Sequence, residues 1–183
     1  TSNGSGDIRQ MTLPQIKALD AGSWFDDKFK GQQFLTLQDA LDITVSSGVR
    51  LNIHIKAYDE DRDKVVSLTV SELVKRNILN QVFVASDEES IALAKSIEPK
   101  LEICNLSTTP IETYISRSAA VKCRILQPGN QQVNAELVAD AHAHGMEVNP
   151  FYADDEDEMR RLIECGVDGI LTNHSNRLQA LLR

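Results

Sequence analysis

From Arg50 onward the chain alternates short runs rich in Val, Ile and Leu with longer stretches of helical periodicity. The runs are RLNIHIK (Arg50 to Lys56), QVFVAS (Gln81 to Ser86), LEICNLS (Leu101 to Ser107), VKCRILQP (Val121 to Pro128), MEVNPFYA (Met146 to Ala153) and GILTN (Gly169 to Asn173). Six strand–helix units in succession require a parallel sheet joined by crossover helices. Strands covered on both faces read as apolar runs of this kind. Two α/β architectures satisfy the pattern, a doubly wound open sheet and a (βα)8 barrel, and periodicity does not separate them. Neither GxGxxG nor GxxxxGK[ST] occurs in the chain, so the common nucleotide-binding fingerprints are missing.

The segments between the runs carry their own signals. Val133, Leu137, Val138 and Ala141 share one helical face, as do Met159, Leu162 and Ile163. Ser86 followed by Glu89 fits a capping box, and Asp87 and Glu88 suit the positive end of the same helix. DDEDE, Asp154 to Glu158, reads as first-turn carboxylates answering a helix dipole rather than as a metal site. Gly145 and Gly166 are expected to stop helices ahead of their strands.

Composition narrows the function. The 183 residues are 42% hydrophobic and 25% charged, enough for one domain with a substantial core. A net charge of -8 and a pI near 5.0 argue against general nucleic-acid binding through a basic surface. No apolar run approaches the roughly 18 residues of a membrane helix. Cys104, Cys123 and Cys165 lack paired spacing and read as reduced, mostly buried thiols. The opening TSNGSGDIRQ is neither a signal peptide nor a start at Met, so it leaves the compartment open.

In either architecture functional groups gather at the C-terminal ends of the strands. Those ends carry His54 and Lys56; Ser86; Asn105 and Ser107; Gln127; Phe151 and Tyr152; and Thr172 and Asn173. RLNIHIK alternates, so that Leu51, Ile53 and Ile55 point one way and Asn52, His54 and Lys56 the other. If the apolar set faces the helices, His54 and Lys56 enter the lumen or cleft. A lysine there needs an anion, either a carboxylate or a ligand phosphate. His142 and His144, in DAHAHG, look like the exposed end of an amphipathic helix.

TLPQIKALDAGSWF, FLTLQDALD, LNIHIK and GVDGILTN, in this order, resemble landmarks of the glycerophosphodiester phosphodiesterases. NGSG (Asn3 to Gly6) resembles the turn that introduces LDAGSWF in that family. The resemblance spans essentially the whole chain. It implies a (βα)8 barrel of TIM type, with residues 1–183 as a single C-terminal portion lacking the first two strands. It also implies hydrolysis of a glycerophosphodiester to an alcohol and sn-glycerol 3-phosphate. A divalent cation, Ca²⁺ or Mg²⁺, and a pair of histidines carry that reaction.

By the same resemblance Lys56 matches a phosphate-side lysine with catalytic and substrate-binding roles, and Phe151 matches an aromatic lining the substrate cleft. His54 stands where the family strand commonly has a metal-binding Glu, and imidazole suits Ca²⁺ or Mg²⁺ less well than carboxylate does. Asn173 stands where Asp often follows Thr. The family's His-Arg-Gly, Glu-x-Asp and His-Asp landmarks belong ahead of Thr1, and none occurs in these residues. The expected ligand is a small glycerophosphodiester or phosphate, and the 183 residues by themselves are expected to be inactive. Two alternatives are a non-catalytic phosphate-binding module that retains the cleft, and completion of the sheet by a second copy in a swapped homo-oligomer.

Overall fold

The computed structural model describes residues 1–57 and 59–183, which fall into two units, 1–49 and 50–183. The first holds two short helices, α1 (Leu13–Lys17) and α2 (Leu37–Thr44), bridged by Lys17 Nζ on Asp39 Oδ2 at 2.6 Å. Thr36 and Asp39 close a capping box at the start of α2. Between the helices the turn of LDAGSWF is wound around one carboxylate. Asp20 accepts hydrogen bonds from Ser23 N, Gly31 N, Ser23 Oγ and Gly22 N. These donors, the Ser23 amide foremost, hold its pKa well below the usual carboxylate range. Asn3 pairs with Asp20 through both the backbone and its own side chain, which ties NGSG to this turn. A Cβ at Gly22 would lie 2.0 Å from the Phe29 carbonyl oxygen, so the turn accepts only glycine there.

In the second unit the β-rich runs form β1 (Leu51–His54), β2 (Val82–Ser86), β3 (Glu102–Asn105), β4 (Ile125–Leu126) and β5 (Glu147–Val148). Every neighbouring pair is parallel, and the spatial order is β1-β2-β3-β4-β5. A doubly wound sheet reverses its order at a switch point, whereas a barrel wall follows the sequence. The order therefore excludes the doubly wound alternative. GILTN contributes one parallel bridge, Leu171 to Phe151, rather than a strand.

The sheet also curls. Four strand spacings would separate β1 from β5 by roughly 19 Å if the sheet were flat. Yet Arg50 Nη1, beside β1, meets Glu147 Oε2 on β5 at 3.0 Å, and Asn52 Nδ2 meets Gln127 Oε1 at 3.4 Å. Five parallel strands bent in this way are the wall of a partial (βα)8 barrel. Asn52, Gln127 and Glu147 mark its concave, lumenal face.

The convex face carries the helices α3 (Arg62–Lys75), α4 (Glu88–Ile97), α5 (Tyr114–Ala120), α6 (Ala135–Ala143), α7 (Glu156–Glu164) and α8 (Ser175–Leu181). Leu126 and Val148 pack there with Tyr114, Val138, Ala141, Met159 and Leu162, as helical periodicity requires. Gly145 and Gly166 follow α6 and α7 with φ of 70° and 84°, the left-handed conformation that ends a helix. The capping reading at α4 shifts by one residue. Asp87, not Ser86, caps the helix by accepting from Ser90 N, because the Ser86 hydroxyl donates to Ile55 O. Glu156, Asp157 and Glu158 do occupy the first turn of α7, behind the cap Asp155. All three cysteines are free thiols, with Cys104 and Cys123 buried.

Candidate functional site

The C-terminal strand ends separate into two groups once their hydrogen bonds are traced. Ser86 is spent on Ile55 O. Asn105 is fully buried on the convex face, where its Nδ2 donates to Ser118 Oγ and its Oδ1 accepts from Ser107 N. Ser107 Oγ in turn accepts from Glu88 N. Thr172 and Asn173 converge on Asp154, and the Asn173 side chain, followed by its amide, lowers the Asp154 pKa. These polar groups brace loops to one another.

His54, Lys56, Gln127, Phe151 and Tyr152 form the second group, and Asn52, near the start of β1, shares the face of His54. Strand alternation places His54 and Lys56 on the side marked by the Asn52–Gln127 contact. Asn52, His54 and Lys56 are exposed along that face, whereas Ile55 is buried on the other. The His54 pKa lies below its ordinary value, chiefly because the ring is partly desolvated and secondly because the Lys56 ammonium repels its charged form. Phe151 is half-buried at the mouth beyond β5, with its backbone bridging Gly129 and Leu171 and its ring edge-to-face with Tyr152 at 5.7 Å.

Level with Asn52 and His54, the neighbouring strands present apolar side chains. Phe83, Ala85, Cys104 and Ile125 form an apolar cluster with Leu106, and the Arg50 guanidinium lies 5.0 Å from the Phe83 ring centroid. Burial pushes the Cys104 thiol well up, so it is a packed, neutral group rather than a nucleophile. Gln127, just after β4, is 3% exposed, and its Nε2 has no hydrogen-bond partner among the described residues. The alternation of RLNIHIK placed Asn52 beside His54 and Lys56, but its meeting with Gln127 across the lumen was not visible in sequence.

The arrangement comprises an exposed cation, Lys56, and a desolvated amide donor, Gln127 Nε2. It offers little to a metal ion. Among the described residues no three His, Cys, Asp or Glu side chains are placed to hold one. His142 and His144, at the end of α6, engage Asp168 Oδ2 at 2.9 Å and the Asp140 carbonyl at 2.9 Å.

Similarity to known proteins agrees with this geometry. The Glycerophosphoryl diester phosphodiesterase family matches residues 1–177. The chain belongs to this family. A glycerophosphodiester phosphodiesterase of Caldanaerobacter subterraneus subsp. tengcongensis is 28% identical over 100% of the chain and 76% of its own length. One from Bacillus subtilis is 28% identical over 95% of the chain and 65% of its own length. The chain thus spans between about two thirds and three quarters of these two relatives.

The solved structure of an Oleispira antarctica phosphodiesterase, in complex with the product sn-glycerol-3-phosphate, aligns with a TM-score of 0.90 at 22% identity. The alignment covers 100% of this chain and 74% of that one, and establishes the shared fold. Glycerophosphoryl diester phosphodiesterases are enzymes that generally use a divalent metal. The described residues do not make a site of that kind: His54 is a single imidazole where hard cations favour several oxygen donors.

Proposed function

We propose that the chain forms the phosphate-side wall of a glycerophosphodiester hydrolase, with Lys56 as its phosphate-binding cation and Phe151 beside the substrate. The observation that carries this reading is Lys56 itself, exposed on the lumenal face of a barrel wall at the functional end of β1. In the reaction a water oxygen bonds to phosphorus, the bond from phosphorus to the alcohol oxygen breaks, and a proton passes to the departing alkoxide. The products are an alcohol and sn-glycerol 3-phosphate. Lys56 stabilises the charge that builds on the phosphoryl oxygens.

The proton-transfer histidines implied by the family landmarks have no counterpart in the 183 residues. Residues 1–183 are therefore read as the C-terminal portion of the barrel, binding the phosphate group without turning it over. His54, standing where the family strand commonly has a metal-binding Glu, favours as a second reading a non-catalytic pseudoenzyme or phosphate-ligand binding module that retains the barrel cleft.

The test pairs turnover with binding. With glycerophosphocholine and added Ca²⁺ or Mg²⁺, the purified 183-residue chain should release no glycerol 3-phosphate, and measurable release would overturn its inactivity. Calorimetry should show inorganic phosphate bound by the chain and weakened at least tenfold in Lys56→Ala. Unchanged binding in the variant would remove Lys56 from the site.

A further inference from the structure

A buried amide nitrogen without a partner is uncommon in folded proteins, where it marks a place for water, an ion or a ligand. Gln127 Nε2 is such a donor among the described residues. The residue is 3% exposed, and its Oε1 is approached by Asn52 Nδ2 at 3.4 Å, which leaves Nε2 as the free end of the carboxamide. The backbone is fixed behind it, since Gln127 N donates to Tyr114 Oη at 3.0 Å. Asn52, His54 and Lys56 alternate onto one face of β1 and the residues after it, so the Asn52 contact joins the Gln127 carboxamide to the face that carries the lysine.

We propose that Gln127 is a specificity residue for the polyol arm of a glycerophosphoryl ligand, its Nε2 donating to a hydroxyl oxygen of the glycerol. This inference rests on the reading of Lys56 as the phosphate cation. The two groups divide the ligand by chemistry. The lysine ammonium answers the phosphate charge, while the neutral carboxamide, already desolvated, answers a neutral acceptor. An amide that is unpaired until the ligand arrives discriminates strongly, because a ligand lacking the hydroxyl leaves the donor buried and unsatisfied. Inorganic phosphate is such a ligand. The apolar cluster of Phe83, Ala85, Cys104 and Ile125 supplies no competing acceptor from its side chains.

Calorimetry of the 183-residue chain with sn-glycerol 3-phosphate and with inorganic phosphate tests the division. The wild type should prefer glycerol 3-phosphate. Gln127→Met, which keeps the length and apolar stem of the side chain, should lose about tenfold in affinity for glycerol 3-phosphate and leave phosphate binding unchanged. A side-chain NMR readout avoids dependence on the variant's folding. The Gln127 Nε2 amide resonance of the wild type should shift on saturation with glycerol 3-phosphate and stay in place with phosphate.

A wild type that binds both ligands equally, or an amide that does not respond to glycerol 3-phosphate, would overturn the role of Gln127 and leave Lys56 standing. An unchanged preference in a folded Gln127→Met variant would do the same. A wild type that binds neither ligand would overturn both assignments.

Discussion

The two faces of one curved sheet obey different rules. On the convex face Leu126, Val148, Val84 and Ile103 are fully buried, and three polar side chains packed with them have partners: Asn105 with Ser118, Tyr114 with the Asn105 carbonyl, Ser86 with Ile55 O. On the lumenal face Asn52, His54 and Lys56 stay exposed, and Gln127 is buried with its donor unused among the described residues. Adjacent residues of one strand thus serve opposite ends. The convex face packs against the helices and holds the fold, whereas the lumenal face keeps an exposed cation, Lys56, and a buried amide donor, Gln127 Nε2.

Substitution on the convex face should therefore produce the largest loss of stability. Leu126→Ala removes a fully buried side chain from the cluster with Tyr114, Met159 and Leu162, and should cost about 2–5 kcal/mol in urea unfolding. Lys56→Ala, on the exposed lumenal face, should stay within about 0.5 kcal/mol of wild type. A lumenal variant as destabilising as Leu126→Ala would erase the contrast between the faces.

Tyr114→Phe comes next. The Tyr114 hydroxyl donates to Asn105 O and accepts from Gln127 N, both in the buried layer. Its loss leaves two backbone groups short of a partner, at a cost of about 1–3 kcal/mol by the same unfolding measurement. Because Gln127 N is one of those groups, weakened binding of glycerol 3-phosphate in this variant would show that the convex face also positions the lumenal one. Unchanged binding would show the faces to be independent.

This difference also explains what could be read from sequence. The convex face follows rules of periodicity, so the alternation of runs and helices and the stops at Gly145 and Gly166 appear where expected. Of the acids Asp154 to Glu158 the last three occupy the first turn of α7, Asp155 caps it and Asp154 instead accepts from Thr172 and Asn173. Lengths were less legible: VKCRILQP and MEVNPFYA yield strands of two residues each, and GILTN a single bridge. Pairing across three or four strands depends on how far the sheet curls, which no local pattern specifies. Hence Asn52–Gln127 and Arg50–Glu147 emerged only in the fold, although all four residues were visible. Polar strand ends such as Asn105 and Asn173 had the same appearance in sequence as Gln127, and only the traced partners divide them.

The smallest effect expected is electrostatic and lies within the lumenal face. His54 titrates below its ordinary value of about 6.5, first because it is partly desolvated and second because Lys56 is near. Its proton is therefore bound more weakly in the fold than in the unfolded chain. The fold thus gives up a little stability as pH falls below about 6.5, where the unfolded chain takes up the proton first. Lys56→Met removes the repulsion but leaves the desolvation, so proton NMR should show the His54 midpoint rising part of the way toward about 6.5. A midpoint that does not move would show that Lys56 does not act on the His54 ring. Full recovery would assign the whole depression to Lys56 and leave burial of the ring without effect.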